Sequence, residues 1–207
     1  AYRRCPDGIY LPVRMERYQE VSRGIMRLFE SFTPKIQQIS VDEAFLDMTG
    51  TERLFGPPRD SAQRVKALVR SESGLIISIG VAPNKFLAKL ASDYDKPDGL
   101  WIVRPGEEEE FIDRLELKDL WGIGDKMRER LQELNIRDTK TLRRYTVETL
   151  RGIFGRSAGE YLYKAVRGID PGVLREERKS PSVCNETTFE QDTADPEIIR
   201  QTLLELS

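Results

Sequence analysis

The 207-residue sequence predicts an α+β fold over roughly its first half and a purely helical fold after it. Short runs of β-branched and aromatic residues alternate with amphipathic helical segments up to residue 106, which is typical of a small sheet packed against helices. From residue 107 the apolar residues recur at helical spacing, in short segments separated by glycines and polar turns. These two patterns place a domain boundary near residue 106.

Helices and strands alternate in the first domain, residues 1–106. Apolar residues at helical spacing predict a long helix that ends before Pro34, and Asp60 with Ser61 can cap the next one. Pro83 suits the first turn of a third helix, whose inner face holds Phe86, Leu87, Leu90 and Tyr94. In chain order we predict a strand at 9–11, a helix at 13–32, strands at 35–41 and 43–49, a helix at 60–70, a strand at 75–81, a helix at 83–93 and a strand at 100–103.

The remaining sequence divides into three parts. Residues 107–170 form an all-helical domain, with helices predicted at 107–115, 125–134, 139–144, 146–153 and 158–167. Residues 171–181 are rich in charge and lack an apolar face, as expected of a tether. Residues 182–207 begin a further domain, with a strand at 184–191 and a helix that Asp195 caps and Pro196 opens.

Composition narrows the chemistry that the chain can perform. The sequence contains no histidine, which excludes His-dependent triads and His-ligated zinc. Its net charge is −2, but residues 111–180 carry 16 basic and 12 acidic residues, so this segment is the best candidate for contact with a polyanion. No apolar run approaches the ~20 residues of a membrane span, and Cys5 and Cys184 lack metal-ligand spacing. We therefore expect a reduced, cytoplasmic protein.

Two adjacent carboxylates, Asp42 and Glu43, interrupt an apolar, strand-forming run. Side chains alternate faces along a regular strand, so both acids converge only if the chain bends at this point. Converging carboxylates repel unless a cation lies between them, and oxygen donors favour Mg²⁺ or Mn²⁺. An ordinary β-turn, in which Asp is common and no metal is needed, explains the same residues. These residues alone leave both interpretations open.

Residues 121–124, Trp-Gly-Ile-Gly, which we call the glycine turn, predict a helix–hairpin–helix. Gly122 and Gly124 permit positive φ and leave the backbone amides of the next helix accessible to a phosphate. Such contacts touch only the backbone of DNA and carry no sequence preference. An αα-hairpin with a glycine turn is the alternative. Residues 152–159 repeat the pattern more weakly, and a helix C-cap followed by a turn explains them equally well.

Three lysines lie on or just after the predicted helix 83–93. Lys85 and Lys89 are four residues apart on one helix face, and Lys96 lies in the turn that follows, residues 96–99, which we call the lysine turn. A lysine ammonium is a point charge suited to phosphate oxygens. Solubilising surface residues are the alternative interpretation of all three.

Together these segments resemble the Y-family of translesion DNA polymerases, most closely its bacterial DNA polymerase IV branch. The resemblance covers nearly the whole chain. It implies a polymerase palm at 1–106, a helix–hairpin–helix thumb at 107–170 and the start of a little-finger domain at 182–207. The stretches that carry it occur in the family's order: SVDEAFLD at 40–47, IGVAPNKFLAKLAS at 79–92, KPDG at 96–99 and WGIG at 121–124.

The resemblance also implies roles for particular residues. Asp42 and Glu43 match the paired catalytic carboxylates that hold two Mg²⁺ ions, and Lys96 matches a contact to the triphosphate of the incoming nucleotide. Ser40 is expected to support the acidic pair, whereas Asp47, in the same motif, can be structural or functional. The residues implied to contact the DNA backbone are Gly122, Ile123, Gly124 and Lys126.

The implied reaction is template-directed DNA synthesis past damaged bases, with primer–template DNA and deoxynucleoside triphosphates as substrates. The family's first palm strand with a further metal-binding aspartate, its fingers and most of its little finger have no counterpart in this sequence. We therefore expect an internal fragment that is inactive alone, from a parent protein that also binds a sliding clamp through the missing regions. A non-catalytic DNA-binding module and a metal-dependent nuclease or cyclase are the alternative hypotheses.

Overall fold

The computed structural model describes residues 2–172, 184–189 and 191–207. Contacts along the chain group it into two units, Ala1–Leu174 and Arg175–Ser207, which we describe separately. In the described residues, no helix is both long enough and apolar enough to cross a membrane. The predicted tether at 171–181 lies outside the described residues except for its first two positions.

The first unit contains the predicted alternation of helices and strands followed by short helices, so the predicted α+β class is confirmed. Its strands are only three residues long, shorter than the apolar runs that predicted them. In chain order its elements are α1 (Met15–Glu30), β1 (Ile36–Gln38), β2 (Ala44–Leu46), α2 (Glu52–Phe55), α3 (Pro58–Ser73), β3 (Ile79–Val81), α4 (Lys85–Tyr94), β4 (Leu100–Ile102), α5 (Glu108–Ile112), α6 (Asp125–Glu133), α7 (Thr139–Arg143), α8 (Val147–Phe154) and α9 (Arg156–Ala165).

The four strands of this unit form two separate pairs. β1 and β2 are antiparallel, with Gln37 opposite Phe45, and β3 and β4 are parallel, with Gly80 opposite Trp101. Gly80 lets α4 lie directly against β3, because a Cβ at this position would be 2.1 Å from the carbonyl oxygen of Ala88. The glycine therefore fixes how close α4, with its lysines, lies to the sheet.

Two apolar clusters hold the unit together. The smaller one joins α1 and the residues just after it to α3. Its members are Phe29, Phe32, Val65 and Val69. The larger one begins on α4 and continues without a break through the short helices to Val166. Side chains of α4 thus share one core with α5–α9, and packing does not stop at the predicted boundary near residue 106. Burial of this continuous core attaches α4 firmly to the helical half.

Two predicted helix starts and one predicted inner-face residue are wrong. α3 begins at Pro58 rather than at the predicted cap Asp60–Ser61, since a proline loses nothing at the first helical position. α4 begins after Asn84, whose side chain accepts a hydrogen bond from the Leu87 amide, so Pro83 lies outside the helix. Tyr94 is 39 % exposed rather than internal, although its ring packs edge-on against Trp101.

Two predicted strands are absent. Residues 9–11 form no strand, and Ile9 and Leu11 are 89 % and 80 % exposed, because no neighbouring strand pairs with this segment. Residues 184–189 of the second unit are also not a strand. The helix predicted after them is confirmed as α10 (Pro196–Leu206), with the Asp195 carboxylate accepting a hydrogen bond from the Glu197 amide.

Candidate functional site

The acidic pair lies in the connection between β1 and β2, residues 39–43, which we call the acidic bend. The carbonyl oxygen of Glu43 accepts hydrogen bonds from the amides of Ile39, at 2.9 Å, and Ser40, at 3.4 Å. The Gln38 side-chain amide donates to the Ser40 carbonyl oxygen at 2.8 Å. The predicted bend between two antiparallel strands at this pair is therefore confirmed.

The two carboxylates have different surroundings. Asp42 is exposed, and its Oδ1 accepts a hydrogen bond from the Ser40 hydroxyl at 2.5 Å, while its amide donates to the same hydroxyl. Glu43 is partly buried, and its Oε1 accepts a hydrogen bond from Lys89 Nζ on α4 at 2.5 Å. Ser40 thus supports Asp42, as expected, whereas Glu43 is held by a lysine from another element.

An unbroken series of ion pairs connects the acidic bend with the lysine turn. Lys89 Nζ lies 2.5 Å from Glu43 and 2.9 Å from Asp93 Oδ2. The other oxygen of Asp93 lies 2.5 Å from Lys96 Nζ. The Lys89 side chain is only 14 % exposed, which rules out the surface interpretation for this lysine. Glu43 and Lys96, far apart in sequence, therefore belong to one connected group of charges.

The pKa values of the two central members follow from these contacts. Burial is the largest influence on Lys89 and lowers its pKa, but the hydrogen bonds and charges of Glu43 and Asp93 outweigh it, so the pKa of Lys89 lies above its usual value. Burial likewise raises the pKa of Asp93, and the hydrogen bonds from Lys96 and Lys89 outweigh it, leaving that pKa below its usual value. Both groups are therefore charged at neutral pH.

Asp93 is the member that the sequence analysis missed. It lies four residues after Lys89 and three before Lys96, the spacings at which charged side chains meet on a helix, so a charge-pattern search of α4 would have found it. Lys85, on the same helix, donates to Gln37 Oε1 of β1 at 2.7 Å. The helix is thereby tied to β1 and to the acidic bend itself.

The contacts of the Asp47 side chain are local. Its Oδ1 accepts a hydrogen bond from the Thr49 amide at 3.0 Å, and its Oδ2 lies 3.2 Å from Lys35 Nζ. Hydrogen bonds from Thr49, and then Lys35, lower the pKa of Asp47 to about 2. Of the two interpretations left open by the sequence, these contacts support the structural one.

Oxygen donors for a cation are present at the acidic bend, but they are few. Asp42 and Glu43 offer the hard oxygen ligands that Mg²⁺ prefers, which fits the expected metal. Among the described residues, however, no group of three or more acidic, histidine or cysteine side chains lies close enough to enclose an ion. The bend can thus supply part of a metal site.

The glycine turn leads into α6 and depends on Gly122. Gly122 has φ +97°, and a Cβ there would lie 2.9 Å from the Tyr161 hydroxyl oxygen. That hydroxyl donates a hydrogen bond to the carbonyl oxygen of Trp121, and burial raises the pKa of Tyr161 to about 12. Ile123 is buried in the core, and its amide already donates to the Leu120 carbonyl oxygen. Ile123 therefore anchors the turn, and neither its side chain nor its amide faces outward for a ligand.

Gly124 does not adopt the positive φ that a glycine permits. It is the N-cap of α6 with φ −79°, which any residue adopts, and a Cβ there would meet no atom within 4 Å. No side chain caps α6, whereas Asp138 and Thr146 cap α7 and α8. The first-turn amides of α6 are thus left for an external acceptor, with exposed Lys126 beside them.

The second glycine-rich stretch, residues 152–159, is a helix junction. Gly155, with φ +83°, ends α8 through its amide and also precedes α9. Gly159 allows close packing of these helices, because a Cβ there would lie 2.5 Å from the Arg151 amide nitrogen. The C-cap interpretation accounts for this stretch.

Comparison with known families gives two matches in the expected order. Residues 1–93 match the model of the impB/mucB/samB family, and residues 118–170 match the model described as DNA polymerase-iota, thumb domain. The first match contains the acidic bend and α4, and the second contains the glycine turn.

Similar proteins agree with these matches. DNA polymerase IV of Treponema denticola is 47 % identical over 91 % of this chain and 48 % of its own length, and that of Desulfotalea psychrophila is 40 % identical over 100 % of this chain and 55 % of its own. The crystal structure of DinB from Sulfolobus solfataricus superposes with a TM-score of 0.71 and 33 % identity, over 80 % of this chain and 49 % of that one. The chain spans about half the length of the relatives it matches. It belongs to the Y-family of DNA polymerases.

Proposed function

We propose that this chain is the palm and thumb of a DNA-directed DNA polymerase, which adds deoxynucleotides to a primer on template DNA. The single observation that supports this most strongly is the series of ion pairs from Glu43 through Lys89 and Asp93 to Lys96. It brings the acidic bend and the lysine turn, which the resemblance assigns to metal and nucleotide, into one connected site. We call the full-length protein the parent polymerase.

In this proposal the acidic bend holds the catalytic cations. Asp42 and Glu43 bind Mg²⁺, with a further ligand from outside the described residues, because two carboxylates do not complete the site. Mg²⁺ held by Asp42 and Glu43 would supply a Lewis acid that lowers the pKa of the primer hydroxyl and offsets negative charge on the leaving pyrophosphate. Ser40 orients the Asp42 carboxylate, and Lys89 orients that of Glu43.

Lys96 binds the triphosphate of the incoming nucleotide. Its side chain is 54 % exposed, and its only ion-pair partner among the described residues is Asp93. A triphosphate carries more negative charge than one carboxylate, so it can draw the ammonium away from Asp93, which stays paired with Lys89. Lys96 therefore acts on nucleotide affinity.

The glycine turn binds the backbone of duplex DNA. The uncapped amides at the start of α6 donate to one phosphate, with the positive end of the helix dipole behind them and Lys126 nearby. Gly124 leaves room for the phosphate, since a Cβ at this position would meet no atom of the described residues within 4 Å. These contacts hold the primer–template without reading its sequence.

Synthesis past damaged bases, a sliding-clamp partner and a cytoplasmic location are part of the same proposal and rest on the resemblance alone. One similar solved structure is described as a DinB family error prone DNA polymerase from Sulfolobus solfataricus, which agrees with the first of these. The polymerase matches favour this function over the nuclease or cyclase hypothesis, because a thumb with a glycine turn serves duplex DNA.

Primer extension by the parent polymerase tests the proposal. Asp42→Ala and Glu43→Ala should abolish extension and leave DNA affinity within about twofold of the wild-type value. The thumb, which these changes do not touch, makes the contacts to the DNA backbone. Asp47→Asn is the matched control, since this acid lies in the same motif but bonds Thr49 and Lys35. Full extension by Asp42→Ala would refute the site, and loss of extension by Asp47→Asn would show that the motif matters only for folding.

A second function, DNA binding without catalysis, is favoured for the 207-residue chain by itself. Among its described residues, no cluster of three acidic groups exists to complete a metal site. The isolated chain should bind duplex DNA and fail to extend a primer, whereas the parent polymerase does both. Extension by the isolated chain that Asp42→Ala abolishes would overturn this second function and leave the first intact.

A further inference from the structure

The lysine turn is held from α3 by the partly buried side chain of Lys66. Its ammonium lies within hydrogen-bond distance of four oxygens: the Ile77 carbonyl at 2.6 Å, the Asp98 carbonyl at 2.8 Å, the Asp98 carboxylate at 2.6 Å and the Gly99 carbonyl at 3.1 Å. An ammonium has three protons, so its full donor capacity is used on these acceptors. Three of the four belong to the lysine turn.

The conformation of this turn needs such support. Asp98 has φ +55°, in the left-handed region that residues other than glycine rarely adopt. The backbone of Gly99 lies so close to that of Asp95 that a Cβ on Gly99 would be 2.2 Å from the Asp95 carbonyl oxygen. The Lys66 side chain is 18 % exposed, so water has little access to replace its ammonium on these carbonyl groups. Without Lys66, the carbonyl oxygen of Asp98 loses a charged donor at a residue whose backbone is strained, while the Gly99 carbonyl oxygen keeps the Ile79 amide at 3.0 Å.

Lys96 begins this same turn, two residues before Asp98. Asp93 fixes the tip of its side chain at 2.5 Å, and the backbone of the turn fixes its base. We propose that Lys66 is a positioning residue for nucleotide binding, which acts through the lysine turn to place Lys96. This role rests on the proposed function of Lys96 as the triphosphate contact.

Arg70 provides a matched control one turn further along α3. It lies 3.9 Å from the second oxygen of Asp98, is 70 % exposed and makes no hydrogen bond to the backbone of the turn in the described residues. Removing Arg70 alters the charge near Asp98 without releasing the turn. A comparison of Lys66→Met with Arg70→Met therefore separates positioning from electrostatics.

Hydrogen exchange of the 207-residue chain tests the first step independently of any nucleotide. In Lys66→Met, the amides of residues 98–100 should exchange about tenfold faster or more, since each lost charged hydrogen bond is worth about that factor. Peptides from α5–α9 should be unchanged, which shows that the variant is folded. In Arg70→Met the same amides should exchange at the wild-type rate. In Lys66→Arg, which keeps a charged donor, they should regain their protection. Unchanged exchange at residues 98–100 in Lys66→Met would overturn the proposal.

Steady-state extension by the parent polymerase tests the second step. Lys66→Met should raise the KM for the nucleotide about tenfold, with kcat and DNA affinity within about twofold. The double variant Lys66→Met/Lys96→Ala should be no worse than Lys96→Ala alone, since Lys66 acts through Lys96. Additive losses, or a fall in kcat at unchanged KM, would overturn the proposal. A KM that Lys96→Ala leaves unchanged would refute the proposed function of Lys96 itself, whatever the exchange data show.

Discussion

The acidic bend and the glycine turn differ in what occupies their polar groups. At the acidic bend Glu43 is already paired with Lys89, and at the lysine turn Lys96 is paired with Asp93, so the proposed cation and nucleotide would compete with these partners. At the glycine turn, no side chain caps α6, and the position in front of Gly124 is open. Glu43 and Lys96 thus have charged partners within the protein, whereas the start of α6 has no side-chain cap among the described residues.

This difference suits two kinds of binding. Phosphate contacts at an open helix start need no rearrangement, as expected for a grip on any DNA sequence. A site whose charges are internally paired avoids the repulsion between bare carboxylates until its ligands arrive.

The largest effect is expected on the stability of the glycine turn. Gly122→Val should lower the free energy of unfolding by about 2–4 kcal/mol, because a β-branched residue is strained at φ +97° and its Cβ would meet the Tyr161 hydroxyl. Gly124→Val should change it by less than about 1 kcal/mol. Urea unfolding of both variants measures this. Equal losses would mean that Gly124 is also needed by the backbone.

DNA affinity should separate the same two glycines by function. Binding of a duplex to the 207-residue chain should weaken about tenfold between 50 and 200 mM salt, as two released counterions require, with little sequence preference. Gly124→Val should weaken binding several-fold by crowding the phosphate, although the variant is folded. Fluorescence anisotropy at several salt concentrations checks both. An affinity that is flat with salt, or unchanged in Gly124→Val, would remove the thumb from the DNA interface.

The fold could largely be predicted because its elements rest on local patterns. Helix spacing placed α1 and the short helices, and the bend at Asp42 followed from two acids in a strand-forming run. The partners of the site could not be predicted, since Lys89 and Glu43 are 46 residues apart and Lys66 and Asp98 are 32 apart. Such contacts depend on how α3 and α4 pack against the strands, which no local pattern contains. The strand predicted at 9–11 is absent for the same reason. A strand needs a neighbouring strand to pair with, and the local sequence does not show whether one is present.

The internal pairing of the palm predicts a pH dependence. The pKa of Asp93 is lowered in the folded protein, so its contribution to stability is present above the ordinary value of 3.8 and is lost as the pH falls below it. The difference in unfolding free energy between wild type and Asp93→Asn should therefore be constant near neutral pH and shrink toward pH 3. Asp95→Asn, an exposed neighbour, serves as the control. A difference that persists undiminished at pH 3 would contradict the ion pairing of Asp93.

The smallest effect concerns Asp47, whose carboxylate faces Thr49 and Lys35 rather than the site. Its pKa of about 2 means that any stability it supplies is lost only as the pH falls from 3.8 toward 2. Carbon-detected NMR titration should show a larger rise in this pKa for Thr49→Val than for Lys35→Met, because the Thr49 hydrogen bonds are the stronger influence. The reverse order would mean that Lys35 lowers the pKa of Asp47 more than the Thr49 hydrogen bonds do.

The most direct test of the contrast between the two sites measures binding and chemistry separately in the parent polymerase. DNA affinity and the single-turnover extension rate at saturating DNA are determined for Asp42→Ala and for Gly124→Val. We expect Asp42→Ala to lose extension with DNA affinity intact, and Gly124→Val to lose affinity while extending at the wild-type rate once DNA is saturating. If both variants lose affinity and extension together, the acidic bend and the glycine turn are not separate sites for chemistry and grip, and the account is wrong.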